Sequence, residues 1–112
     1  MAVFVSNIVI EQGFDFDTTF LLADTVTNNP LNLTGYSIES QLRKTYTSTN
    51  SSTFISSITN PSNGQIEISL GTTATSSLKE GRYVYDVKLT SDVGVVYKAV
   101  EGLALVRPGV TR

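Results

Sequence analysis

The chain of 112 residues has no cysteine, no histidine and no tryptophan. Without cysteine there is no disulfide, no thiolate metal site and no thiol nucleophile. Without histidine the commonest general base, the commonest metal ligand and every Ser-His-Asp arrangement are excluded. Serine and threonine are abundant from Ser6 to Thr111, but no base is at hand to activate one of them. Charge is also scarce: Asp, Glu, Lys and Arg make up 16% of the chain, against about 25% in an ordinary soluble domain. The net charge of −2 lacks the clustered cations that nucleic acid demands, and Arg43-Lys44 is the one adjacent basic pair. No apolar run approaches the ~18 residues of a membrane span. The opening Met1-Ala2-Val3-Phe4-Val5-Ser6-Asn7 has neither a basic region nor an apolar stretch long enough for a secretory signal. Export is therefore not expected, and Asn32-Leu33-Thr34 and Asn50-Ser51-Ser52 read as chance matches to a glycosylation acceptor. No enzyme is expected, and no cofactor.

What is present favours pleated sheet. Threonine, valine, isoleucine, tyrosine and phenylalanine suit half-buried strands, whereas the good helix formers are not prominent. Val3 to Ile10 is dense in valine and isoleucine and reads as a first strand. In Phe14 to Leu22, Phe16, Thr18, Phe20 and Leu22 face one way and Asp15, Asp17 and Thr19 the other. Tyr36, Ile38, Ser40 and Leu42 alternate with polar residues in a third strand. Phe54, Ser56 and Ile58 begin a fourth, and Gln65 to Leu70 a fifth with clean period two. Between those two, Asn60-Pro61-Ser62-Asn63-Gly64 is the strongest turn signal in the chain and predicts a hairpin. Tyr83, Tyr85, Val87 and Leu89 share one face of the strand Arg82 to Thr90. Val95 to Val106 predicts one bent strand or two short ones, with Gly102 as the expected bulge.

Gly71 to Leu78 interrupts the pattern, and Thr72 or Thr73 is placed to cap a single helical turn there. About seven short strands separated by turns predict an antiparallel, immunoglobulin-like β-sandwich with at most one short helix. A chain of this length is expected to form one domain, over residues 1–112. Phe16, Phe20, Tyr36, Leu42, Ile66, Ile68, Tyr83, Tyr85, Val87 and Leu89 are the expected core. The serine- and threonine-rich stretch from Tyr46 to Thr53 is expected to be an exposed hairpin tip or a mobile loop.

Chemistry finds little purchase. Asp15, Asp17 and Asp24 are near enough in sequence to suggest a Ca²⁺ site, but the EF-hand spacing and its bidentate glutamate are missing, so no metal is expected. Glu11, Glu39, Glu67, Asp86 and Glu101 fall on outward positions of separate strands rather than as a catalytic pair. The remaining candidates are surfaces. Val3, Phe4 and Val5 form a first strand poorly protected by charge, and Val106 and Val110 lie near the other end of the chain. These five are the expected protein interface, with the termini adding strands to a neighbouring subunit; the alternative is that both termini pair inside their own sandwich.

Several phrases carry a family resemblance: Leu31-Asn32-Leu33-Thr34-Gly35-Tyr36, Gln41-Leu42-Arg43-Lys44, Gly81-Arg82-Tyr83-Val84-Tyr85-Asp86-Val87, and Glu101-Gly102 ahead of Val106-Arg107-Pro108. With the opening strand and the turn at Ser62-Asn63-Gly64, the chain resembles small β-sandwich virion proteins of tailed bacteriophages, above all short structural proteins of T4-like phages of marine cyanobacteria. It is also similar to N-terminal domains of baseplate and receptor-binding tail proteins. The resemblance implies a non-enzymatic tail or baseplate component, present in multiple copies, partnered by other virion proteins and assembled in the host cytoplasm. A capsid decoration protein is the alternative within the same particle. A carbohydrate-binding module stacking sugars on Tyr46, Tyr36 or Tyr97 belongs to a different class.

Overall fold

Period-two alternation does form strands throughout the computed structural model, which describes residues 4–23 and 29–110. The elements run in the order β1 (Phe4–Val5), β2 (Ile8–Glu11), β3 (Phe16–Leu21), β4 (Ser37–Arg43), β5 (Ser52–Thr53), β6 (Ile55–Asn60), a 3-10 turn (Pro61–Asn63), β7 (Gln65–Leu70), α1 (Thr72–Ser77), β8 (Gly81–Thr90) and β9 (Val96–Arg107). One sheet has the order β1-β9-β8-β4-β5 with β2 also on β9, and the other has the order β3-β7-β6. The protein is thus an all-β sandwich of two sheets. The rows β9-β8-β4 and β3-β7-β6 follow the strand order of an immunoglobulin-type sandwich.

The chain changes sheet at one residue. β5 pairs with Gln41 and Leu42 of β4, and the Phe54 N–H continues that ladder by donating to the Ser40 carbonyl at 3.0 Å. One residue later β6 pairs with β7 in the opposite sheet. The buried Phe54 ring marks this corner, with Phe16 on one side and Tyr85 on the other, each with ring centroids 6.1 Å away. β4 and β5 thus form a hairpin, as one of the two expected readings has it, with Ser52–Thr53 in its second strand and not in its tip. The predicted hairpin forms as expected, its turn ending at Gly64 with φ 66°.

Faces were correctly assigned by alternation. Phe20, Leu42, Ile66, Ile68, Tyr85, Val87 and Leu89 are buried, while Phe16, Tyr36 and Tyr83 are half-buried and pack against them. Tyr83 near the start of β8 donates its hydroxyl to the Lys79 carbonyl four residues upstream, at 2.8 Å. This tyrosine corner is a hallmark of immunoglobulin-type sandwiches and fixes the entry into β8. Ser40 points into the core, and its Oγ has no hydrogen-bond partner among the described residues. A buried hydroxyl without a partner costs about 1–3 kcal/mol. Ser40→Ala is therefore expected to raise the thermal midpoint.

Three local expectations are corrected. α1 begins after Gly71, and neither Thr72 nor Thr73 supplies a side-chain cap. The fully buried threonine is Thr75, whose hydroxyl donates to the Phe14 carbonyl at 2.9 Å and accepts from the Gly13 N–H at 3.1 Å. It ties α1 to the β2–β3 turn, a partner distant in sequence. Second, β9 is one continuous strand whose bulge lies at Ala99 and not at Gly102: Val87 pairs with Val100, but Lys88 pairs with Lys98. The extra residue leaves both Ala99 and Val100 buried. Third, the N-terminal segment pairs inside its own sandwich. Phe4 and Val5 lie parallel to Val100 and Glu101, and Ile8 to Glu11 parallel to Ala104 to Arg107.

Gly102 takes its role from that third feature. The link between β1 and β2 passes directly over it, and a Cβ at residue 102 would stand 2.0 Å from the Ser6 carbonyl oxygen. The link is held from three directions. Ser6 N–H donates to the Glu101 carbonyl at 2.9 Å, Leu103 N–H donates to the Asn7 side-chain oxygen at 3.0 Å, and the Tyr85 hydroxyl donates to the Ser6 carbonyl. Burial raises the Tyr85 phenol above its ordinary value of 10.0. The unfolded chain then ionises first, so the contribution of the neutral phenol is intact below about pH 10 and is lost as pH climbs through the folded-state value. Denaturant midpoints are expected to fall above about pH 10, and Tyr85→Phe to lessen that fall.

Candidate docking surface

The five residues expected at an interface do not end up together. Val3 lies outside the described residues. Phe4 turns its ring inward, edge-to-face with Phe20 at 5.9 Å, and keeps half its surface exposed. Val5, on the opposite face, is 69% exposed. Val106 is 1% exposed and belongs to the core, because it sits on the inward register of β9 beside Ile10. It offers a partner no side chain. Val110 is exposed beyond the end of β9, where it lines an open depression with Phe14 and Gly109.

A different apolar surface emerges from the register. In β2 and β9, Ile8, Ile10, Ala104 and Val106 are buried in the core, so Val9, Leu103 and Leu105 face outward. Val9 pairs directly with Leu105, Leu103 pairs with the half-buried Val84 of β8, and Val5 extends the same face toward β1. Val9 and Leu103 are each close to half exposed. A sheet with one wet face is expected to place polar residues at these positions. Ile8-Val9-Ile10 and Leu103-Ala104-Leu105-Val106 instead read as strands apolar on both faces, the pattern of a sheet covered from both sides. Sequence reading noted the density of valine and isoleucine in the first strand without drawing that consequence.

Ion pairs rim the patch. Arg107 pairs with Glu11, Lys98 lies 3.3 Å from Glu101 and 3.7 Å from Asp86, and Lys88 lies 3.5 Å from Glu39. The hydrogen bond to Glu101 raises the Lys98 ammonium above its usual value, against a smaller opposing effect of desolvation. Pairs this exposed add little stability, roughly 0–1 kcal/mol each. Their consequence is chemical: four of the five carboxylates considered for catalysis are engaged with cations on this face. Glu67 is on the other sheet, opposite Thr19. Asp15 and Asp17 are exposed, Asp24 lies outside the described residues, and among those residues no three acidic side chains gather as a metal site. Tyr36 and Tyr97 stack on each other, with centroids 6.5 Å apart. They sit at the start of β4 and β9, whereas the exposed Tyr46 follows the end of β4, so the three do not form one platform.

Fold and surface together define a two-sheet, all-β sandwich with one apolar, charge-rimmed outer face. No protein-family model matches the chain, and no curated protein matches its sequence. Among solved structures, a Listeria monocytogenes internalin-like protein is similar over 96% of this chain and 28% of its own, at 14% identity and a TM-score of 0.46. The chain spans less than a third of the length of that protein. No helix among the described residues is long and apolar enough to cross a membrane.

Proposed function

We propose that this chain is a non-enzymatic structural protein of a tailed-bacteriophage particle, a tail or baseplate component that docks in multiple copies on a larger scaffold of other virion proteins. The observation that carries the reading is the outward apolar row Val9, Leu105, Leu103 and Val84, on strands whose other side already faces the core. Exposed apolar patches rimmed by polar residues mark interaction surfaces. The low charge content supports the same reading, because covering the face strands little charge; Arg82, opposite Leu105 and without an ion pair among the described residues, is the cation a partner must meet. The sequence resemblance to phage sandwich proteins supplies the particle. Assembly takes place in the host cytoplasm, with no nucleic-acid partner and no membrane span.

Mass spectrometry of purified particles, with heads and tails separated, tests this. The protein is expected in the tail fraction. Recovery with heads would favour capsid decoration, and absence from both would refute a virion role.

A further inference from the structure

Arg43-Lys44, the one adjacent basic pair, stands at the margin of the docking face, where Arg43 pairs with Val84. It lies at the far end of β4, where a cleft of about 390 Å³ opens between that strand end, the loop over residues 45–51 and the approach to β8. Its lining brings Arg43 and Lys44 together with Lys79, the Tyr83 ring, and the hydroxyl groups of the loop and of Ser77. No carboxylate lines it. Their gathering in one concavity is what points to a ligand. Lys88, Lys98 and Arg107 all have carboxylate partners; Arg43, Lys44 and Lys79 have no ion pair among the described residues, and neither does Arg82, but Arg82 stands alone on the strand face outside the cleft. Glu80 follows Lys79 in sequence but is not part of the lining, and Asp86, in the adjoining depression, is engaged by Lys98. A chain of net charge −2 thus gathers three uncompensated cations in one concavity.

Two of these cations are held in place, and the backbone of the third is anchored. The Arg43 guanidinium donates to the Ser48 carbonyl at 2.7 Å and to the Gln41 side-chain oxygen at 3.0 Å. The loop that supplies Ser48 is closed on itself, with Thr45 N–H donating to Ser48 Oγ at 3.1 Å and Ser48 N–H donating to the Thr45 carbonyl. The Lys44 ammonium lies 4.8 Å from the centre of the Tyr83 ring, in space that a Cβ on residue 81 would fill at 2.5 Å. The Tyr83 hydroxyl in turn fixes the Lys79 backbone. Donors positioned before a ligand arrives do not lose that freedom on binding. Lysine and arginine donors suit phosphate and carboxylate oxygens, and the surrounding hydroxyls suit a hydroxylated body. The volume falls in the range of small-ligand sites, ~300–1,000 Å³.

We propose that this cleft binds an oxyanion carried on a sugar, of the sugar-phosphate class, with Lys44 and Lys79 contacting the anion and the hydroxyl-rich loop contacting the sugar. It touches the Val9–Leu105 row only where Arg43 pairs with Val84, and neither Lys44 nor Lys79 belongs to that row, so its failure leaves the virion reading standing. The test is a heteronuclear NMR titration of the full chain with glucose 6-phosphate, inorganic phosphate and glucose, at low and high salt. Saturable shifts at residues 44, 48, 79 and 83 are expected with glucose 6-phosphate, weakened by salt and absent with glucose. Lys44→Gln and Lys79→Gln are each expected to weaken binding about tenfold or more, and Lys88→Gln to leave it unchanged. Both lysines in the cleft are exposed, so an unchanged spectrum of the free variants verifies their folding. Equal affinity for inorganic phosphate would overturn the sugar contact. No saturable shift, or shifts that Lys44→Gln and Lys79→Gln leave intact, would overturn the site.

Discussion

Phe20→Ala is expected to lower the unfolding free energy by about 3–5 kcal/mol, the range for deleting a buried ring. Phe20 is 6% exposed, and it pairs with Ile66 of β7, itself fully buried. Its ring also supports Phe4 at 5.9 Å, so the substitution reaches across to the N-terminal strand as well as opening a cavity. Because a domain has only ~5–15 kcal/mol to lose, the substitution removes a third or more of its stability over most of that range. Urea denaturation measures the effect as a large drop in midpoint with little change in slope. A loss below about 1 kcal/mol would mean that β3 presents its other face to the core.

The second large effect is expected at Gly102. Its constraint is space and not backbone angle, because the Ser6 carbonyl passes where a side chain would begin. Overpacking of this kind typically costs about 1–3 kcal/mol. Here the obstacle is backbone, so Gly102→Val is expected to displace the β1–β2 link, removing the acceptor of the Tyr85 hydroxyl and the Asn7 contact to Leu103 with it. Hydrogen exchange resolves this by residue. Protection is expected to fall at residues 4–11 and to persist in β3 and β7, since edge segments open independently of the core. Unaltered protection at residues 4–11 would show that the crossing does not depend on glycine.

Where the sequence was legible, a local rule decided the outcome. Phe16, Thr18 and Phe20, or Ile66, Ile68 and Leu70, reveal their inward faces because side chains on a strand alternate with period two. Asn63-Gly64 reveals its hairpin because few other residues adopt a left-handed turn. What escaped depended on partners far along the chain. Gly102 looked like a bulge residue because the Ser6 carbonyl above it is nearly a chain length away. Thr75 carries no sign of its role in the local sequence because its partners, Gly13 and Phe14, are 62 and 61 positions off. Lys79 joins Arg43 and Lys44 only through the register of β8 on β4. Val106 was misread as a surface anchor because residues 103–106 are apolar at every position, and alternation then gives no sign of which side is core.

That same unbroken run is where the docking role stands or falls. Leu103→Lys and Leu105→Lys place charge on the outward row while leaving Ala104 and Val106 in the core. The doubly substituted protein is expected to keep the circular dichroism spectrum of the parent and most of its thermal stability. Particles purified from cells that produce it are expected, by quantitative mass spectrometry, to have lost this protein while their other components remain. Particles that carry the folded variant in the parental amount would contradict docking through this face.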